Sequence, residues 1–103
     1  MTDEHVLGAD LTIYSVAHWA ERCRLWVMDL DGAAGDLPLQ VQADRVEEVD
    51  GAGVQLLLAL SRSLEQRGRR LALLRPSPVL LKALQRLGAG DLVVQQLAQE
   101  VGA

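Results

Sequence analysis

Apolar residues recur at helical spacing in two long stretches of the chain. The first stretch follows Ser15, which is suited to cap a helix, and its apolar positions are Val16, Trp19, Ala20, Cys23, Trp26, Val27 and Leu30. Three- and four-residue steps over about four turns predict an amphipathic helix. The second helix is expected to begin near Gly51 and to run to about Arg67, where Gly68 is a typical C-terminal stop.

Shorter apolar runs predict strands. They cover residues 5–7, 11–14, 37–43 and 71–74. Residues 44–49 are expected to be a polar connection. Ser77 and Pro78 mark the start of a third helix that ends at Gly88, and a fourth helix is expected over residues 92–101. The alternation predicts one α/β domain over residues 1–103, with a mixed sheet of about four strands packed with about four helices.

Composition and charge exclude several functions. The chain has 103 residues, half of them apolar, and a formal net charge of −4. Its only local basic cluster, Arg67, Arg69 and Arg70, is expected to be exposed at a helix–strand junction, so nucleic-acid binding is not expected. The longest apolar run, Leu56–Leu60, is too short to insert into a membrane, and the first residues resemble no signal peptide. We therefore expect a cytoplasmic protein.

No catalytic constellation is recognisable. Cys23 is the single cysteine and is expected to be a buried, inert thiol. His5 and His18 are expected to be solvated. Glu47, Glu48 and Asp50 form an acidic cluster. They are either ordinary residues of a polar loop or carboxylates that could bind a divalent cation. We expect no enzyme, no cofactor and no metal.

The junction at Asp50 is the most informative part of the sequence. Asp50 is suited to cap the second helix, and Gly51, Ala52 and Gly53 leave the first turn almost bare of side chains. A bare start lets another backbone or an anion approach the N–H groups. Alternatively, the glycines only permit a tight turn into the helix.

The second helix separates a core face from an outer face. Leu57, Leu60 and Leu64 share the face that is expected to be buried, whereas Leu58 lies with the polar residues opposite. An exposed leucine there is either an ordinary surface residue or the centre of a partner patch. The predicted partner-binding residues are Asp50, Gly51, Ala52, Gly53, Gln55, Leu58 and Arg62.

Residues 49–60, VDGAGVQLLLAL, resemble the signature of STAS domains, the fold of anti-sigma-factor antagonists. That signature is a hydrophobe, then Asp-Ser-Ser/Ala-Gly-Leu, then a leucine-rich helix. The LTIY run at 11–14 is similar to the second strand of the family, and residues 74–79 and 87–88 match its Ser-Pro helix start and Leu-Gly stop. The resemblance implies a STAS-like fold and a non-enzymatic protein-interaction module.

The chain departs from the family after the aspartate. In the regulated antagonists a serine follows and is phosphorylated by a partner kinase. Here the phosphoacceptor position is degenerate, because it is Gly51 and the next residue is Ala52. At the end of the third strand, where the family commonly has an acidic residue, this chain has Gln42. The usual phospho-switch is therefore expected to be absent, so that either binding is constitutive or the partner is regulated instead.

The resemblance implies several candidate partners. The preferred one is a bacterial signalling protein, either a kinase-like anti-sigma factor or a chemotaxis-type protein, since the LTIY run is typical of the chemotaxis-type branch. One alternative is the ATPase of a phospholipid-transport ABC complex, which a STAS subunit braces. A second alternative is a nucleotide bound at Gly51–Gly53. Homodimerisation is a further alternative, for which the sequence contains no interface pattern.

Overall fold

Strands and helices alternate along the chain as the apolar pattern predicts. A computed structural model describes residues 5–31 and 37–90. Its elements are β1 (His5–Val6), β2 (Asp10–Leu11), α1 (Val16–Asp31), β3 (Leu39–Gln42), β4 (Glu48–Val49), α2 (Gly51–Glu65), β5 (Leu71–Leu74) and α3 (Pro78–Arg86). The α/β class is confirmed. The fourth helix, predicted over residues 92–101, lies outside the described residues.

The strands form two small sheets. β1, β3 and β5 make a three-stranded sheet with β3 in the centre, where Val41 lies opposite both His5 and Leu73. β2 and β4 make a separate pair, with Leu11 opposite Val49. All of these pairings are parallel, whereas the sequence predicted about four strands in one mixed sheet. The parallel order follows because a helix or a long connection separates each strand from its partner.

The additional strand is β4, which lies inside the predicted polar connection. The N–H groups of Glu47 and Glu48 donate to the Ala9 carbonyl at 2.8 and 3.0 Å. The Asp50 N–H donates to the Leu11 carbonyl at 3.4 Å. β4 therefore exists because β2 supplies partners for its backbone, and its own two residues carry almost no strand pattern.

The strand predicted over residues 11–14 ends at Leu11. The Ser15 N–H donates to the Thr12 carbonyl at 2.9 Å, which closes a tight turn that we call the β2–α1 turn, residues 12–15. The Ser15 hydroxyl accepts from the Thr12 N–H at 3.1 Å and donates to the Asp10 carbonyl at 2.7 Å. Ser15 therefore precedes α1 as predicted, but its hydroxyl stabilises the turn.

The core lies between the helices and the larger sheet. α2 contributes the face predicted from its spacing, Leu57, Leu60 and Leu64, which are at most 5% exposed. α3 contributes Leu80 and Leu84, which are fully buried. None of the helices in the described ranges is long and apolar enough to cross a bilayer.

Cys23 lies in the core beside Trp26, and burial raises the pKa of its thiol to about 11. The thiol is therefore protonated at neutral pH, as expected for an inert cysteine. His18 is exposed, as predicted. His5, however, is half-buried, because β1 places its ring 5.1 Å from the ring of Trp26.

Arg69 is buried, although the sequence predicts an exposed arginine. Its guanidinium donates to the carbonyls of Leu30 and Leu37, both at 3.0 Å. Leu30 stands in the last turn of α1, where carbonyls lack partners within the helix. Arg69 therefore joins the end of α1 to the approach to β3, while Arg67 and Arg70 are exposed as predicted.

We expect Arg69→Met to lower the free energy of unfolding by about 2 kcal/mol, because two carbonyls lose charge-assisted bonds. The measurement is equilibrium urea unfolding. The matched control is Arg70→Met at an exposed position, where the change should stay within about 0.5 kcal/mol. Equal stability of the two variants would show that the Arg69 bonds contribute little.

Candidate protein-binding site

Asp50 connects two elements that are distant in sequence. Its backbone is extended (φ −129°, ψ −173°), and its Oδ1 accepts from the Gly53 N–H at 3.1 Å, which caps α2 as predicted. Its Oδ2 accepts from the Ile13 N–H at 3.0 Å. The bond from Ile13, with smaller contributions from the amides at the start of α2, lowers the pKa of the Asp50 carboxyl below its usual range. The carboxylate therefore holds the β2–α1 turn against the start of α2.

Gly53 is a packing position. It is buried where α2 meets β2, and a Cβ at this position would overlap the Leu11 carbonyl oxygen and lie 2.9 Å from the Leu11 Cγ. Only glycine lets the two backbones approach this closely. The backbone that approaches Gly53 thus belongs to the same chain, which accounts for this glycine by packing. Its place in a partner-binding surface stays a prediction.

Gly51 has the opposite environment. It is exposed, and a Cβ there would meet nothing within 4 Å. Ala52 beside it is half-buried. Gly51, which the resemblance predicts to be the degenerate phosphoacceptor position, thus faces open space and would accommodate a larger side chain. The chain places no hydroxyl there.

Exposed apolar side chains lie near Asp50 and Gly51 in two places. Ile13 and Tyr14 of the β2–α1 turn, whose Ile13 N–H donates to Asp50, are 61% and 94% exposed. In addition, a groove runs between the start of α2 and α3, and we call it the α3 groove. Its lining residues are Val49, Asp50, Gly51, Val79, Lys82, Ala83, Arg86 and Leu87.

The sequence does not predict that these apolar residues are exposed together. It predicts a strand for Ile13 and Tyr14, whereas in the fold they occupy the β2–α1 turn. Val79 is exposed on α3 and Leu87 is exposed at its C-cap, but spacing gives no signal for Leu87, since it stands seven residues after the buried Leu80 and on the same helical face.

The remaining predicted residues lie along α2. Gln55 and Arg62 are exposed. Leu58 is half-buried and packs against the core, so the prediction of an exposed leucine is wrong. The reason is that α2 contacts both α1 and α3, which covers more of its circumference than one core face does.

The acidic cluster does not converge on a common point. Across residues 5–31 and 37–90, no three side chains of His, Cys, Asp or Glu are placed to hold a metal ion. Asp50 instead uses its two oxygens on backbone N–H groups. Gln42, at the end of β3, accepts a bond from the Arg75 guanidinium at 3.1 Å.

A comparison with protein families gave one match for this chain. Residues 9–95 match the model of the family described as Mlab, STAS domain. Because this match covers most of the chain, the protein belongs to the STAS domain family, to which anti-sigma-factor antagonists belong. Neither the curated proteins nor the solved structures gave a match.

The two glycines at the start of α2 should respond oppositely to alanine. We expect Gly53→Ala to lower the free energy of unfolding by about 2 kcal/mol, because the added methyl group forces the helix away from Leu11. Gly51→Ala should be neutral or slightly stabilising, since alanine favours helix and meets no neighbour. Chemical unfolding of both variants measures the difference, and equal effects would contradict the close approach at Gly53.

The lowered pKa of Asp50 makes part of the stability depend on pH. Because the pKa is lower in the folded protein, the stabilisation is present above about pH 4 and is lost as pH falls through the folded value. We therefore expect Asp50→Asn to be less stable than wild type at pH 7 and the difference to shrink below pH 4. Unfolding of both proteins across this range measures it, and a difference independent of pH would contradict the role of the charge.

Proposed function

We propose that this STAS domain is a non-catalytic protein-interaction module in a bacterial signalling pathway, of the chemotaxis or sigma-regulation type. Its partner is a kinase-like anti-sigma factor or a chemotaxis-type signalling protein, and binding does not use serine phosphorylation at the start of α2. The observation that carries this proposal is the exposed, unobstructed Gly51, next to Asp50, whose carboxylate binds the N–H of the exposed Ile13.

The described serines support unswitched binding. Ser61 and Ser77 are buried, and the Ser77 hydroxyl accepts from the Leu80 N–H at 3.2 Å. The Ser63 hydroxyl accepts from the Arg67 guanidinium at 2.8 Å. A kinase would have to break packing or these bonds to reach them. Phosphorylation of these serines is accordingly not expected.

The exposed turn supports a protein partner. Full burial of an apolar side chain contributes about 1.5–3 kcal/mol, and tyrosine is frequent among the residues that dominate interface energies. The Asp50 carboxylate holds the backbone of this turn by its bond from the Ile13 N–H, so a partner need not order that backbone first. A signalling partner is preferred because these residues also carry the resemblance to the chemotaxis-type branch.

The alternative partner is the ATPase of a phospholipid-transport ABC complex. A surface without a hydroxyl switch also suits a permanent subunit contact. Nucleotide binding is less favoured, since the Asp50 carboxylate already occupies the N–H group of Gly53 and would repel a phosphate at the start of α2.

Affinity capture from the native cell lysate, read by mass spectrometry, tests the proposal. We expect wild type to recover a histidine-kinase-like or receiver-domain protein, and Gly51→Glu and Tyr14→Ser each to reduce its recovery at least about tenfold, equivalent to about 1.4 kcal/mol. Both positions are exposed, so these substitutions spare the fold. Gly53 and Leu58 are unsuitable because they belong to the packing.

The matched control is Gln66→Glu, which adds the same charge at an exposed position after the far end of α2. Its recovery should equal that of wild type. Recovery of an ABC ATPase, lost in the same two variants, would replace the signalling proposal with the transporter alternative. Unchanged recovery by both variants would place the interface elsewhere.

A further inference from the structure

We propose that the α3 groove binds an acidic amphipathic helix of the partner protein. This inference rests on the proposed function, because it extends the surface at Gly51 onto α3 and states the chemistry of what docks there. It is carried by the spacing, exposure and charge of the residues on the outer face of α3.

The outer face of α3 combines an apolar stripe with a basic edge. Val79 and Ala83 of α3 and Leu87 at its C-cap stand four residues apart and follow one side of the helix. Val79 and Leu87 are 45% and 53% exposed. Leu80 and Leu84 point into the core and are fully buried, so they hold α3 in place without using the stripe.

The charge of the groove is opposite to that of the whole chain. The chain has a net charge of −4, yet the charged residues of α3 are Lys82 and Arg86, both exposed. Among the described lining residues the acidic one is Asp50, whose oxygens already accept from Ile13 and Gly53. An occupant with carboxylates beside its apolar residues therefore complements the groove, whereas a basic occupant would be repelled.

The dimensions suit a short helix. From Val79 to Leu87 the stripe spans about 12 Å at the helical rise per residue. A partner helix of two to three turns covers this length with apolar residues at i, i+3 or i+4, and i+7, the usual pattern for a helix in a groove. Apolar contacts would supply most of the affinity, while Lys82 and Arg86 would select acidic partners and speed association.

The test selects peptides from a display library of random 16-residue sequences on the full chain. We expect enriched peptides to place Asp or Glu beside apolar residues at helical spacing. A synthetic peptide of the enriched sequence should bind the double variant Lys82→Glu/Arg86→Glu at least about tenfold more weakly than wild type. Val79→Ser should weaken binding as well, since it removes part of the stripe.

The matched control is Arg22→Glu/Arg70→Glu, which reverses two exposed arginines outside the groove and should bind within about twofold of wild type. Enriched peptides without acidic residues, or unchanged affinity of the Lys82→Glu/Arg86→Glu variant, would overturn the inference. A homodimer in sedimentation equilibrium that this variant dissociates would also overturn it, because the occupant would then be a second copy.

Lysate capture separates this inference from the proposed function. If Gly51→Glu and Tyr14→Ser lose the partner but Lys82→Glu/Arg86→Glu retains it, the proposed function stands and the α3 groove is not part of the interface. If all of these variants retain the partner, the interface lies elsewhere on the domain and the α3 groove is excluded with the surface at Gly51. Capture of no signalling protein by wild type is the outcome that overturns the proposed function.

Discussion

The carboxylate of Asp50 accepts hydrogen bonds from Ile13 and Gly53, two residues that are 40 positions apart, and the geometry of the site depends on this bridge. One oxygen caps α2 and the other fixes the β2–α1 turn. The close contact between Gly53 and Leu11 requires the same approach of helix and strand. The cap, the turn and the contact therefore support one another, and losing one would loosen the others.

This constraint divides the two glycines into different roles. Gly53 serves packing, because any side chain there would meet the Leu11 backbone. Gly51, two residues earlier, faces open space. The two positions differ in what surrounds them, although both lie in the first turn of α2. The backbone of the exposed β2–α1 turn beside it is fixed by the Asp50 carboxylate.

The local charge on the outer face of α3 differs in sign from the net charge of the chain. An acidic chain carries a basic, partly apolar helix face at Lys82 and Arg86, next to the start of α2. The net negative charge of the chain disfavours nucleic-acid binding, but it does not predict the local charge of the α3 groove. Which charges stand together depends on how α3 is rotated, and the burial of Leu80 and Leu84 fixes that rotation.

The sequence by itself determined the three described helices, the cap at Asp50 and the stop at Gly68, which has a positive φ of 71°. These depend on periodicity and on backbone preferences within a few residues. Tertiary structure alone decided that β4 pairs with β2, that Leu58 is half-buried and that Arg69 is buried. Each of these depends on contacts between elements distant in sequence, where the partner supplies hydrogen bonds or covers a face that local pattern leaves polar.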